Sequence, residues 1–322
     1  KIKSFNKNII VDGDKSLSIR WALIASQAIG TSKAKNLLRS EDVNNTLRCL
    51  KKLGIKISQN QSICSIEGRG LNGFIFKKNI TLNAGNSGTL GRLILSLLIK
   101  SPHKIKIIGD KSLSKRDFSR VTLPLKKFGA SFKSSSKKLP LIMKGLERPL
   151  AINYREKKGS AQCKTSVIFA ALKADGETKI KAKKSRDHTE LLFKHLKLPI
   201  KIKKNRNFDL IEIKKVKKIK PINYNIPSDI SSGAFFIALT VLSKNSQLII
   251  KNVNINPTRV GIITILKNMG VNILFLNKKI YKGEAIADIL VKSPKKLKAI
   301  NCPSKLNSEA IDEFLIIFLI AA

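Results

Sequence analysis

Cationic and small polar side chains recur at the starts of apolar segments in this sequence, a pairing suited to holding phosphorylated anions. Lys15, Ser16 and Arg20 open DKSLSIRWALIASQAIG, and Ser16 and Arg20, four apart, share one helical face. Asn86, Gly88 and Thr89 open GNSGTLGRLILSLLIK, with Arg92 one turn beyond Gly88. Gly88 leaves the backbone uncovered, which admits either a ligand or a closely packed helix. Several such helix starts facing one cleft present free N–H groups and positive dipole ends, an anion site that needs no metal. One Gly/Ser lead-in alone is an ordinary helix cap. Near the other end, Glu309, Asp312 and Glu313 stand at i, i+3 and i+4, a spacing that predicts three carboxylates on one helix face.

The lead-ins repeat. Ser16, Ser87, Ser160, Ser231 and Ser308 each precede an apolar run of helical length, in steps of 71, 73, 71 and 77 residues. A second helix-like segment recurs in phase: EDVNNTLRCLKKLGIKI, RDFSRVTLPLKKFGASF, SRDHTELLFKHLKLPIKI and TRVGIITILKNMGVNI. Gly54, Gly129 and Gly270 supply helix stops, and Leu198-Pro199 stands where the third copy has no glycine. Alternating stretches such as SICSIEG, LPLIMKG and FDLIEIKK read as closing strands. Each unit is therefore expected to run strand, buried helix, strand, amphipathic helix, then two strands, an α/β fold. The first helix of each unit is apolar nearly all round, as for a helix in a domain interior. The chain holds four such units and the opening of a fifth, which makes a fragment or truncated product the expectation.

Bulk properties bound what these elements serve. A chain of 322 residues, 43% hydrophobic, suggests about two domains. No uncharged apolar run reaches eighteen residues, and no apolar segment with a small-residue cleavage site follows the basic N-terminal stretch; a cytoplasmic protein without a membrane partner is expected. Cys49, Cys64, Cys163 and Cys302 are widely spaced and histidines number three, so neither a metal site nor a disulfide framework is legible. The formal charge of +42 fits an anionic partner, whether nucleic acid, an acidic membrane or phosphorylated metabolites. Its lysines, however, spread along the whole chain, as on a solvated surface. Aromatics at 6% poorly supply the stacking platforms of a single-strand binder, so no nucleic acid is expected.

Eight segments follow one another in order: DKSLSIR at 14–20, GNSGTLGR at 85–92, GDKSLSKR at 109–116, KGSAQCK at 158–164, SRDHTE at 185–190, PSDISSGAFF at 227–236, NPTRVG at 256–261 and EAIDEF at 309–314. Together they resemble the successive motifs of the 5-enolpyruvylshikimate-3-phosphate synthase family of enolpyruvyl transferases, in its bacterial branch. The resemblance covers essentially the whole chain and implies two domains built of six βαβαββ units, about four and a half of which are here. It implies a complete three-repeat domain over 14–227. Residues 1–13 plus 228–322 would form a discontinuous second domain, incomplete at its C-terminus, with hinges near Gly13 and Pro227. The implied reaction moves the enolpyruvyl group of phosphoenolpyruvate to the 5-hydroxyl of shikimate 3-phosphate and releases phosphate, with no cofactor and as a monomer.

The same resemblance implies the residue roles. Lys15 holds phosphoenolpyruvate and takes part in proton transfer, and Ser16 and Arg20 grip shikimate 3-phosphate. Asn86 and Gly88 lie against phosphoenolpyruvate, and Arg116 binds its carboxylate or phosphate, with Asp117 beside it where the family usually has proline. Ser160, Ala161 and Gln162 form the shikimate pocket, Gln162 reaching both substrates, and Arg186 meets the phosphate. His188 is expected to be structural. Asp312 is the base for the 5-hydroxyl and contacts shikimate 3-phosphate; Leu315 replaces a usual proline. A later segment with lysine, arginine and glutamate, which the family also uses, is not in this sequence, so residues 1–322 alone are expected to be inactive. The rival family, transferring to UDP-N-acetylglucosamine, usually has a cysteine in the loop matched by GDKSLSKR, where this chain has Ser112. A basic RNA-binding module is the remaining alternative.

Overall fold

The computed structural model describes residues 4–133 and 137–322; residues 1–3 of the N-terminal stretch lie outside the described residues. The chain forms two compact units. Among the described residues, a terminal unit combines 4–14, 36–38 and 225–322, and a central unit combines 15–35 and the described part of 39–224.

The terminal unit opens with β1 (Asn6–Ile9). The central unit follows with three turns of one pattern. The first comprises α1 (Lys15–Gln27), β2 (Ile29–Lys35), α2 (Glu41–Lys52), β3 (Lys56–Gln59) and β4 (Ile63–Arg69). The second comprises β5 (Ile80–Asn83), α3 (Gly88–Leu97), β6 (Ile105–Ile108), the single turn α4 (Lys111–Ser114), α5 (Ser119–Lys127), β7 (Ser131–Lys133) and β8 (Leu141–Lys144). The third comprises β9 (Asn153–Glu156), α6 (Ala161–Ala171), β10 (Glu177–Lys183), α7 (His188–His195), β11 (Ile200–Lys204) and β12 (Phe208–Lys214). After β13 (Tyr224–Asn225), the terminal unit resumes with α8 (Ile230–Leu242), β14 (Gln247–Asn254), α9 (Gly261–Asn268), β15 (Asn272–Tyr281), β16 (Glu284–Lys292) and α10 (Phe314–Ala321).

Four sheets result, ordered β13-β2-β4-β3, β5-β6-β8-β7, β9-β10-β12-β11 and β1-β14-β16-β15. The strands read as closing each repeat, β4, β8 and β12, lie inside their sheets. Leading strands pair in parallel where β5 meets β6, β9 meets β10 and β1 meets β14. The first and fourth sheets depart from sequence order. β1 leads the fourth sheet, and the two-residue β13 edges the first. Alternation places the charge: in β10, Thr178, Ile180 and Ala182 are buried while Lys179, Lys181 and Lys183 are exposed. The lysines of that strand are a solvated face.

The central unit buries its repeat helices as the apolar runs require. Every residue of α1 from Leu17 to Gln27 is buried, and the Trp21 indole donates to the Ile222 carbonyl at 2.9 Å. Gly54, Gly129 and Gly270 follow the second helices at φ of 81°, 106° and 90°. In the third copy Lys197 takes that left-handed place at φ 54°, ahead of Leu198-Pro199. A non-glycine residue there costs about 1 kcal/mol.

Two expectations fail in the terminal unit. Helices α8 and α10 are apolar all round but not interior: Phe235 is 68% and Leu315 83% exposed, because each packs only one face on the unit's core. The three carboxylates do not share a helix face. Residues 309–313 form turns, with Ala310 N–H bonded to the Leu306 carbonyl and Glu313 N–H to the Ala310 carbonyl, and α10 starts only at Phe314.

Candidate active site

Three helix beginnings of the central unit are tied together by side chains. Arg20, on α1, is 4% exposed. Its guanidinium donates to the Ser16 carbonyl at 3.1 Å, to Thr189 Oγ1 of α7 at 3.0 Å and to Thr165 Oγ1 of α6 at 3.5 Å. The two threonine hydroxyls lie 2.8 Å apart. The carbonyl and the two hydroxyls orient the guanidinium fork among the three helix starts. The bond to Ser16 runs to its backbone carbonyl, one helical turn before Arg20.

Gln162, on the first turn of α6, makes the second tie. It donates to Thr89 Oγ1 of α3 at 3.0 Å and accepts from Arg92 Nη1 at 2.5 Å. Arg92 sits 5.1 Å above the Phe118 ring, and burial, with Arg116 and Arg120 nearby, lowers its proton affinity. Arg116, exposed at the end of α4, donates to Asn86 Oδ1 at 3.1 Å, while Asn86 donates to Asp110 Oδ2 at 2.6 Å. Asp110 caps α4, and the bonds from Leu113 N–H and Asn86 hold its carboxyl below the usual range. Asn86 is thereby fixed with its oxygen toward the arginine.

Gly88 stands between two of these cations. A Cβ there would lie 2.9 Å from Arg92 Nη1 and 3.2 Å from Arg116 Nη1. Gly88→Ala is expected to push both guanidiniums back and, if they hold phosphoenolpyruvate as the resemblance implies, to raise its Kd at least about tenfold, equivalent to about 1.4 kcal/mol. Binding of shikimate 3-phosphate, measured by calorimetry, should change less than threefold. Equal weakening of both would show that Gly88 serves only packing.

Ser160 caps α6 by accepting from the Cys163 N–H at 3.3 Å. A hydroxyl that accepts through a lone pair keeps its own proton for another acceptor. Ala161 follows at the first turn, half-buried. Ser87 caps α3 in the same way from Leu90 N–H at 3.2 Å, whereas in α8 it is Asp229 that caps, accepting from the Ser231 N–H at 2.8 Å. Asp117 is turned away from competition with Arg116: it accepts from the Ser119 N–H at 2.8 Å and starts α5, which holds its carboxyl low.

Lys15 begins α1, half-exposed, with Nζ 3.6 Å from Asp42 of α2. Arg186 is half-buried just before α7. His188 is buried as the first residue of that helix, next to Thr189. Lys164 and Glu190 form a buried pair at 2.6 Å that fastens α6 to α7.

Asp312 belongs to the terminal unit and is exposed on the turn before α10. Its neighbour Glu313 is fully buried and accepts from Ser231 Oγ. Arg259, 3% exposed, gathers this region: it lies 3.6 Å from Asp14, 3.3 Å from Asp229 and 4.0 Å from Glu313, and donates to Ser231 Oγ at 2.6 Å. Burial works against the Arg259 charge, but the carboxylates outweigh it and raise its proton affinity. Anchoring Glu313 fixes the turn from which Asp312 projects.

The central unit therefore brings together Ser16 and Arg20 with α6 and α7, and Gln162 with Asn86, Gly88 and Arg116 through Arg92. Thr89 and Arg92 stood beside Gly88 in the sequence without an assigned role, and Thr165, Thr189, Asp42 and Asp110 were not among the expected site residues. Thr89, Arg92 and Asp110 lie inside the quoted motifs; Thr165 carries no signal of its own. Among the described residues, no three His, Cys, Asp or Glu side chains are placed to hold a metal ion, and no helix is long and apolar enough to cross a membrane.

A model of the EPSP synthase (3-phosphoshikimate 1-carboxyvinyltransferase) family matches residues 1–322. The 3-phosphoshikimate 1-carboxyvinyltransferase of Ruthia magnifica subsp. Calyptogena magnifica is 41% identical over 314 residues, covering 97% of this chain and 71% of that protein. That of Petrotoga mobilis is 38% identical over 323 residues, covering 99% of this chain and 74% of the relative. Among solved structures, EPSP synthase from Acinetobacter baumannii superimposes with a TM-score of 0.89 at 34% identity, covering 100% of this chain and 72% of that one. The motif order, the repeated α/β architecture and these matches agree, and the chain belongs to the EPSP synthase family of 3-phosphoshikimate 1-carboxyvinyltransferases.

Proposed function

We propose that the helix starts of the central unit bind both substrates and that Asp312 of the terminal unit supplies the base. As a member of its family the chain serves enolpyruvyl transfer in the shikimate pathway, from phosphoenolpyruvate to shikimate 3-phosphate. The 5-hydroxyl oxygen adds to the enol-phosphate carbon while a proton reaches the methylene, and the tetrahedral adduct then loses phosphate together with a proton from the new methyl group, which restores the vinyl double bond. Such a reaction needs fixed cations for two phosphates and a carboxylate, a base for the hydroxyl and an acid for the methylene.

Arg20, Ser16, Ser160, Ala161, Gln162 and Arg186 hold shikimate 3-phosphate in this reading. Lys15, Asn86, Gly88, Arg116 and Gln162 hold phosphoenolpyruvate, Lys15 also moving the proton. The observation that carries the reading is the Arg20 fork, buried yet oriented by hydroxyls and a carbonyl. The two units act as the two domains, in a monomeric cytoplasmic enzyme. In this reading residues 1–322 alone bind shikimate 3-phosphate at best weakly and do not turn over; they span 71 to 74% of the relatives above.

Thermal unfolding tests the specificity. Shikimate 3-phosphate is expected to raise the Tm by several degrees at a hundred times its Kd, whereas UDP-N-acetylglucosamine leaves it unchanged. Protection by the UDP-sugar instead would overturn the assignment of acceptor. Phosphate release by residues 1–322 with both substrates would overturn the claim that they do not turn over.

A further inference from the structure

Away from the helix starts, the central unit has a cavity of about 480 Å³ where α3 and α6 end. Its walls include Phe74, Phe76, Leu97, Lys100, His103 and, just past α6, Lys173. Phe76 and His103 meet edge to face at 5.9 Å. Lys173 is 4% exposed; its Nζ donates to the Leu97 carbonyl and lies 5.6 Å from the Phe74 ring centre. The lining residues include two lysines and a histidine and no carboxylate. The nearest acid in sequence, Asp175, is engaged by Lys215 at 2.5 Å.

We propose that this cavity binds a small carboxylate with an aromatic or aliphatic body, Lys173 acting as its counter-ion and the rings and leucines as its walls. The volume falls within the range of small-molecule sites, and apolar walls with one convergent charge are their usual make-up. A buried cation among apolar groups needs an anion or gives up its proton. Burial, reinforced by Lys100, pushes the Lys173 ammonium down to about 7. In the empty cavity the amine therefore shares its proton with solvent near neutrality, and an entering carboxylate restores the charge. Binding and proton uptake are coupled.

The sign follows from the lowered affinity. At pH 6 Lys173 already carries its proton, so a carboxylate binds without proton exchange. At pH 8 the amine is mostly neutral, so binding takes up close to one proton and is about tenfold weaker than at pH 6. Lys100 and His103 are the other titratable groups on the walls.

Calorimetry of the whole chain with 3-phenylpropanoate, at both pH values and in two buffers of different ionisation heat, measures both quantities. The neutral 3-phenylpropanamide is expected to bind at least about tenfold more weakly at pH 6, and Lys173→Met to abolish the preference for the acid. Equal affinity for acid and amide, no proton uptake at pH 8, or no binding at millimolar 3-phenylpropanoate would each overturn the proposal. Should Lys173→Met fail to fold, proton uptake by the unaltered chain decides the matter alone.

Discussion

Arg20→Met is expected to weaken shikimate 3-phosphate binding by about 30- to 1000-fold, equivalent to roughly 2–4 kcal/mol for lost charge-assisted bonds. Methionine fills much of the same volume among α1, α6 and α7 but offers no donor to a phosphate. The Thr165 and Thr189 hydroxyls, 2.8 Å apart, can still bond to each other, so the helices keep one tie. Arg20→Lys keeps the charge but not the planar fork that reaches Ser16, Thr165 and Thr189 at once, and an intermediate affinity is expected. Calorimetry gives the affinities, and far-UV circular dichroism with a thermal melt separates lost binding from lost folding. A folded Arg20→Met protein with unchanged affinity would remove the keystone of the functional reading.

The largest stability effect is expected at Arg259. Replacing it by leucine leaves Asp14, Asp229 and Glu313, all within 4.0 Å of the guanidinium, without their shared cation. Removing one partner of a buried charge cluster costs about 3–5 kcal/mol. The loss is expected to shrink as pH falls toward 4, where protonation of the clustered carboxylates removes their repulsion. Urea titrations at pH 7.5 and 5 measure this. The change belongs to the terminal unit, so a transition reporting on Trp21, buried in the central unit, should move less. A loss below about 1 kcal/mol at pH 7.5 would mean that the cluster does not depend on Arg259. Because Glu313 neighbours Asp312, Arg259→Lys is also expected to loosen the turn that presents the proposed base.

What could be read beforehand was what repeats locally. Lead-in serines, apolar helices and helix stops recur within short windows, so α1, α3, α6 and α8 and the left-handed glycines were visible in the sequence. Lys197 shows the limit, since nothing marks a lysine for a left-handed turn except the absence of a glycine around it. The EAIDEF segment was misread for a related reason. Spacing of i, i+3 and i+4 fits a helix face, but long-range anchoring of Glu313 by Arg259 and Ser231 pulls one carboxylate inward and delays the helix to Phe314. The Arg259 cluster draws on residues 14, 229, 259 and 313, separations that no periodicity connects. Asp117, read as a neighbour of Arg116, instead accepts from the Ser119 N–H at the start of α5, while Arg116 turns to Asn86.

The edge strand that begins the chain imposes an order on its maturation. Asn6 pairs with Gln247, so β1 must wait until some 240 later residues have been synthesised before its parallel neighbour exists. Parallel pairing across so long a span is slow and leaves an open edge in the meantime. Residues 15–224 meanwhile hold nearly all they need for their own sheets, and at ribosomal speeds of about 5–20 residues per second they are complete about 1–5 seconds before Gln247 is added, so they can begin to fold first. The nascent protein then resembles a finished body trailing a loose thread, secured last by the segment that leaves the ribosome after it.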